Sequence, residues 1–266
     1  MQAQSHVAIS ADGVPIHYEV QGHGTTALVF VYGWCCDRHY WDQQAAHFAP
    51  HYTVVCLDLA GHGTSGHART TWTIPALGAD IVAVVEQLGL AQVVLIGHSA
   101  GGLVIIEAAR RLPTTVIGVV GVDTWRNIGD IRTPEEVAAF LAPFRANFVE
   151  TARAFVRATF TPTSDPTLVE AIVGAMSAAP PDIAISVYEA LLSNGRNFLA
   201  GLQEITAPKV AISASARPTE TEAQQYRIDV MRMAGVGHFV MLEDPQTFNR
   251  LLEQAVQQCM HRRARP

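Results

Sequence analysis

Residues 93 to 112 read VVLIGHSAGGLVIIEAARRL, and inside this apolar run stands a single serine, Ser99. Val93 to Ile96 form a short, continuous, largely β-branched stretch, which suits a strand buried on both faces. Beyond the serine, Leu103, Ile106 and Ala109–Arg110 fall at helical spacing, and Pro113 marks the end of that helix. Ser99 therefore sits at a strand-to-helix junction. Gly97 and Gly101 permit a turn too tight for side chains, so the serine can be held in a strained conformation with its oxygen exposed. Gly97-His98-Ser99-Ala100-Gly101 is a complete G-x-S-x-G in the strand–turn–helix setting that such a nucleophile needs. An incidental serine in a glycine-rich turn is the competing explanation. That setting weakens it, and a histidine and an acid in the right places would weaken it further.

The surrounding sequence repeats the strand–helix theme. His6–Ser10 and Ile16–Val20, joined by the turn at Asp12-Gly13, read as a hairpin at a sheet edge. Ala27–Val31 and Val54–Leu57 are buried strands, and residues 75–88 suit a helix with Leu77, Ile81, Val84, Val85 and Leu88 on one face. Val116–Val122 is a further apolar strand that ends at Asp123. This alternation predicts a mostly parallel sheet covered on both sides by helices. It stops at Trp125. From there to about Leu202 the pattern is helical and punctuated by prolines, with four helices near 134–147, 148–160, 165–178 and 181–192. The expectation is a core domain of residues 1–124 and 203–266 carrying an inserted helical cap, 125–202. Strand character returns at Lys209–Ser213. Residues 220–233 read as a helix leading into a short strand, Gly235–Phe239 as a loop, and Pro245 to about Met260 as the closing helix.

Composition narrows the function classes. The chain has 266 residues, 49% hydrophobic and 16% charged, enough for one large α/β domain with an inserted subdomain. Its net charge of −6 offers no general attraction to nucleic acid or to an anionic membrane. No uninterrupted run of 18 apolar residues occurs, and MQAQSHVAIS has no basic region followed by an apolar one, so neither a membrane span nor a signal peptide is expected. Cys35, Cys36, Cys56 and Cys259 include no C-x-x-C, and reduced structural thiols in a cytoplasmic monomer or homodimer are expected. No metal ligand set and no cofactor motif is read. The basic HRRARP terminus is read as a solvated tail.

With Gly33-Trp34 after an early strand, Asp58-Leu59-Ala60-Gly61-His62-Gly63-Thr64-Ser65, the turn around Ser99, and Gly237-His238-Phe239 before the last helix, the chain resembles the α/β-hydrolase superfamily over nearly its whole length. The resemblance implies that fold: a mostly parallel sheet with helices on both faces and a helical cap. It is less specific for the reaction, since the fold hosts esterases, lactonases, dehalogenases, epoxide hydrolases, oxygenases and receptors. Dehalogenases and epoxide hydrolases carry an aspartate where this chain has Ser99.

A serine hydroxyl needs a base to take its proton, and the base needs an acid to fix its tautomer. Of eleven histidines, His238 lies where the family places its base. His98 adjoins the nucleophile, so its side chain should point elsewhere, and His62 belongs to a structural Gly-His-Gly turn. Most relatives carry the acid just after the strand that here spans Lys209–Ser213. This chain has no carboxylate there until Glu220. Asp123 ends the preceding strand, a location that some family members use, and both strand ends of a parallel sheet open onto one edge. The expected triad is Ser99–Asp123–His238, with Glu220 as the runner-up acid. By resemblance, the backbone N–H groups of Trp34 and Ala100 form the oxyanion hole. Tyr32 stands where relatives usually have histidine, and its hydroxyl is expected to substitute for that group.

Tyr32, Trp125, Phe144, Tyr188 and Phe239 are the candidate substrate-binding residues. With no fixed charge read in the pocket, the expected substrate is a small, neutral, hydrophobic ester or lactone, acyl-homoserine lactones and short aryl esters among them. Two other classes remain. A cofactor-free oxygenase of this fold would keep much activity in Ser99→Ala, and a ligand receptor would turn simple esters over slowly.

Overall fold

The computed structural model describes residues 3–214 and 217–263, with no side-chain account of residue 263. Ser215 and Ala216, in the turn read as lacking a carboxylate, lie outside the described residues, as do residues 1–2 and the last three of the basic tail. The strands are β1 (Gln4–Ile9), β2 (Pro15–Gln21), β3 (Ala27–Val31), β4 (Thr53–Leu57), β5 (Val93–His98), β6 (Val116–Val122), β7 (Lys209–Ser213) and β8 (Ile228–Arg232). They form one sheet in the order β1-β2-β4-β3-β5-β6-β7-β8. The β1–β2 hairpin is antiparallel and joins β4 antiparallel, while β3 to β8 run parallel. Every residue of β3, β5, β6 and β7 is buried, as continuous apolar strands covered on both faces require.

Helices α1 (Asp42–Phe48), α2 (Ile74–Gln87) and α3 (Gly101–Arg111) fall in the first half of the chain. Thr73 caps α2 by accepting from the N–H of Ala76, and Leu77, Ile81, Val84 and Val85 form its buried face. Such a cap is worth about 1 kcal/mol. Four helices, α4 (Pro134–Ala146), α5 (Phe148–Arg157), α6 (Pro166–Ser177) and α7 (Pro181–Ser193), follow β6. Then come α8 (Gly195–Glu204), α9 (Glu220–Tyr226), α10 (Val240–Glu243) and α11 (Pro245–Arg263). α2 packs on α3, and α3 covers β5 and β6. α11, with α1 beside it, covers β6 and β7.

α1 and the helical block after β6 differ from the sequence reading. α1 is only seven residues long and carries no extended apolar period, so it left no signal. The 125–202 block starts five helices, not four: Asn194-Gly195 is a break between α7 and α8 rather than the end of helical chain. α8 packs on α3. An added Cβ at Gly201 would stand 2.6 Å from Ile106, and Arg110 pairs with Glu204 at 2.7 Å.

Register sets up one edge of the sheet. Val31 pairs with Gly97, Gly97 with Gly121, and Val122 with Ile212, so the parallel strands end together. Ser99, Asp123 and Ala214 are thus each the first residue past the end of three neighbouring strands. Across that edge, Trp34 fastens the helices that follow β6. Its ring meets Phe144 at 5.6 Å, Phe148 at 6.0 Å, Phe155 at 6.1 Å and Tyr188 at 4.9 Å. Its indole Nε1 also donates to the Ala184 carbonyl at 2.7 Å. Aromatic pairs of this kind contribute about 0.5–1.5 kcal/mol each beyond area burial.

Candidate active site

The turn after β5 is as tight as the glycines suggest. A Cβ on Gly97 would lie 2.5 Å from the Gly101 carbonyl oxygen, and one on Gly101 would lie 2.5 Å from the Tyr32 carbonyl oxygen. Both obstacles are backbone and cannot rotate away. Ser99 takes the left-handed region, with φ of 52°. For a residue with a Cβ this costs about 1 kcal/mol or more. The strain is held by neighbours: Ser99 N–H donates to Val122 O at 3.0 Å, and its carbonyl accepts from the Thr124 hydroxyl at 2.8 Å.

Asp123 is fully buried, also with a positive φ, 40°. Its Oδ2 lies 2.7 Å from His238 Nδ1, and its Oδ1 accepts the Ala214 N–H at 2.8 Å. An ionised carboxylate only accepts, so Nδ1 carries the proton and Nε2 is left as a base. Glu220 is remote from this pair: its side chain is 91% exposed and stands 4.0 Å from Arg232. Ser99 Oγ makes no hydrogen bond among the described residues, and a catalytic contact of this sort often tightens only with substrate bound. The backbone N–H groups of Trp34 and Ala100 are engaged by no other group among the described residues.

His98 does more than point away from Ser99. It is almost fully buried, with its ring 4.7 Å from that of His238, and its Nε2 lies 3.0 Å from the His238 carbonyl oxygen. Facing an acceptor, Nε2 must be the protonated nitrogen. Burial first, and then the adjacent His238, push its pKa down to about 3. The ring is therefore neutral, and it ties the main chain that carries His238 to the turn that carries Ser99. Its Nδ1 has no partner among the described residues.

A family model for the alpha/beta hydrolase family matches residues 23–251. The chain belongs to this family. The 3-oxoadipate enol-lactonase 2 of Acinetobacter baylyi is 26% identical over 255 residues, spanning 92% of this chain and 94% of that one. Other curated relatives match over shorter stretches, less than half of their own length. The solved enol-lactonase of Burkholderia xenovorans superposes with a TM-score of 0.81 at 20% identity, covering 95% of this chain and 100% of that one. Est816, described as an N-acyl homoserine lactone degrading enzyme, gives 0.79 at 22% identity, with 93% and 99% covered. At those identities the two structures speak for the fold. The relatives of this alpha/beta hydrolase thus include esterases and lactonases.

The alpha/beta hydrolase has a cavity of about 690 Å³ at the C-terminal edge of its sheet, and Ser99, Ala100, Asp123, His238 and Trp34 all line it. A larger one, about 790 Å³, lies at the opposite end beside Pro113, Pro208, Lys209 and Arg227, and contains none of these groups. Size does not choose between them; the chemistry does. Of the candidate substrate-binding residues, Trp125, Tyr188 and Phe239 line the first cavity. Tyr32 does not. Its buried hydroxyl accepts from the Leu59 N–H at 2.6 Å, so it secures the turn after β4 and is turned to Leu59 instead of His238. Phe144 is also corrected: it is buried one layer back, against Trp34. The expectation of no fixed charge fails as well, because Arg126, Asp130 and Arg132 border the cavity. Sequence reasoning missed them, and the argument for a neutral substrate loses its ground. Cys36 also reaches the cavity, its thiol pushed up by burial and so kept protonated and inert.

Proposed function

We propose that this alpha/beta hydrolase cleaves carboxylic esters or lactones through an acyl-enzyme on Ser99. The observation that carries the reading is the convergence at one sheet edge. A strained serine, a histidine with Nδ1 on a buried aspartate at 2.7 Å, and two unengaged backbone N–H groups all border one cavity. His238 Nε2 takes the proton from Ser99 Oγ as that oxygen attacks the carbonyl carbon. The N–H groups of Trp34 and Ala100 receive the oxyanion. His238 then protonates the departing alkoxide, which for a lactone remains tethered to the acyl group. A water molecule, deprotonated by the same nitrogen, next attacks the acyl-enzyme, and Ser99 leaves with its proton restored. Asp123 holds the imidazole and stabilises its charged form without taking the proton.

The aromatic wall of Trp34, Phe155, Phe160, Tyr188 and Phe198 supports a substrate with an apolar part. Short aryl esters and acyl-homoserine lactones belong to that class. The test is a panel of p-nitrophenyl esters and lactones with wild type and Ser99→Ala, together with labelling by a serine-reactive organophosphate. Ser99 alone should be labelled, and turnover should fall about 10⁴- to 10⁶-fold in the variant. Ester hydrolysis that survives both treatments would exclude Ser99 as nucleophile. Retention of activity on an aromatic substrate with oxygen, but not on esters, would favour an oxygenase.

A further inference from the structure

His238, the proposed base, is held by main-chain bonds from two different parts of the molecule. Its carbonyl oxygen accepts from His98 Nε2 at 3.0 Å, in the turn that carries Ser99. Its N–H donates to the Thr159 carbonyl oxygen at 3.0 Å, just beyond α5. The next pair of residues repeats that second contact: the rings of Phe239 and Phe160 stack with centroids 5.2 Å apart and planes at 16°. The residue that would move the proton is thus mounted between the sheet edge and the α5–α6 connection.

Glu243, the last residue of α10, closes this boundary. Both of its carboxylate oxygens lie 3.0 Å from the Gly237 nitrogen and accept its N–H, and Oε2 also accepts from the Ser164 hydroxyl at 2.6 Å. Ser164 belongs to a closed turn between α5 and α6. Its hydroxyl accepts the Thr161 N–H at 3.1 Å, and its own N–H donates to the Thr161 carbonyl at 3.1 Å. Hydrogen bonds to a carboxylate are stronger than those between neutral groups, so these two donors are well held. Gly237 is what admits the arrangement: a Cβ there would lie 2.7 Å from the Thr159 carbonyl oxygen and 2.9 Å from Glu243 Oε1. Val236, Gly237 and His238 line the cavity, whereas Glu243 is not among its lining residues, so any effect on the reaction passes through the loop.

We infer that Glu243 is a positioning residue, which latches the Gly237–His238 peptide to the α5–α6 turn and so holds the imidazole in the cavity beside Ser99. This rests on the esterase or lactonase reading for the reaction itself. Asp123 fixes the ring and His98 the carbonyl side of His238, but both act beyond the peptide that leads into it. That stretch holds two glycines, Gly235 with φ of 79° and Gly237, and is soft unless something grips it. A displacement of about 1 Å at a reacting group costs on the order of 10²-fold in rate.

The test combines steady-state kinetics on a p-nitrophenyl ester with the nitrogen NMR shifts of the His238 ring, which report its tautomer and its bond to Asp123. Glu243→Ala should lower kcat by about 10- to 100-fold with KM changed by less than about threefold, and should move the ring shifts while circular dichroism stays that of wild type. Glu243→Gln should recover most of kcat, because its amide oxygen still accepts from Gly237 and its NH₂ can meet Ser164. Ser164→Ala should also lower kcat. Combined with Glu243→Ala it should cost no more than Glu243→Ala alone, since the two side chains act through one contact. A folded Glu243→Ala protein with wild-type kcat or unmoved ring shifts would overturn the latch, as would a Gln variant no better than Ala. If Glu243→Ala does not fold, Ser164→Ala decides: reduced kcat with moved shifts supports the latch, and wild-type values refute it. If wild type cleaves no ester, it is the hydrolase reading that fails, and the ring shifts, which need no substrate, still decide the latch.

Discussion

Replacing Asp123 by Asn tests the proposed catalytic arrangement with little change of shape. The side chain is fully buried between two N–H donors, His238 Nδ1 at 2.7 Å and Ala214 N at 2.8 Å. An asparagine can still accept from Ala214 with its oxygen, but its NH₂ then faces Nδ1. Two donors cannot share a hydrogen bond, so the imidazole must move its proton to Nε2, the nitrogen that should accept from Ser99. The imidazolium formed during attack also loses its counter-charge. In the best-studied triad this change costs about 10⁴-fold, equivalent to about 5 kcal/mol of transition-state stabilisation. Folding should suffer much less, since the bond from Ala214 survives and no volume is lost. The assay is kcat/KM on a p-nitrophenyl ester, with circular dichroism and a thermal melt as controls. Glu220→Gln, at an exposed position, should change the rate by less than about tenfold. If Asp123→Asn is nearly silent while Glu220→Gln is crippling, the acid lies one strand further on and the geometry has been misread.

Three further outcomes follow from particular contacts. His98 stays neutral when folded down to about pH 3, whereas in the unfolded chain it takes a proton near 6.5. Stability should therefore fall as pH drops through that window. From pH 7 to 4.5 wild type should lose about 3 kcal/mol more than His98→Asn in urea unfolding, and identical pH dependence would refute the assignment. Gly97→Ala drives a Cβ to 2.5 Å from the Gly101 carbonyl oxygen and should destabilise by about 3 kcal/mol. At this chain length that lowers Tm by roughly 6–12 °C, and a shift below about 2 °C would show that the turn relaxes freely. Trp34→Phe removes the Nε1 bond to Ala184 and loosens four aromatic contacts, so amide exchange should accelerate in α4, α5 and α7. Unchanged exchange there would mean that those helices are held by something other than Trp34.

What was legible in the sequence was local. Apolar run, glycine, serine, glycine and helix fix the turn at Ser99 without reference to the rest of the chain. The strand ending at Asp123, the absence of a carboxylate near the end of β7 and the family resemblance pointed to Asp123, and the structure places it 2.7 Å from His238 because parallel strands end at a common edge. Side-chain direction was harder to read. Tyr32 was assigned a role beside His238, but the residue ends a buried strand and its hydroxyl turns to Leu59. Phe144 carries the expected aromatic character, yet lies behind Trp34 instead of in front of it. Arg126 and Arg132 were invisible as site residues because their position depends on positive φ at Trp125 and Asn127, which nothing in those residue types announces. The bond from His98 to the His238 carbonyl spans 140 residues, and no local pattern encodes it.

Asp123, as the proposed acid, shows how the sheet edge could accommodate a change of position. In most relatives, as the resemblance has it, the carboxylate follows the strand equivalent to β7. Here β7 has kept a part in the site by supplying a donor. Asp123 N–H donates to Ile212 O at 2.8 Å, and Ala214 N–H returns to Asp123 Oδ1 at 2.8 Å, so the acid is clamped to the end of β7 through backbone and side chain alike. The neighbouring junction is built the same way: Ser99 N–H donates to Val122 O at 3.0 Å, and its φ of 52° matches the 40° of Asp123 in sign. Ser99 and Asp123 are each the first residue beyond their strand, turned left-handed and tied to the last residues of the next strand. Left-handed backbone at two non-glycine residues costs on the order of 2 kcal/mol together, and the fixed ladder of β5, β6 and β7 absorbs it. That ladder is what lets Ser99 and Asp123, the proposed nucleophile and acid, come from adjacent strands while His238 arrives from a distant loop, anchored by Asp123 on one side of its ring and by His98 on its main chain.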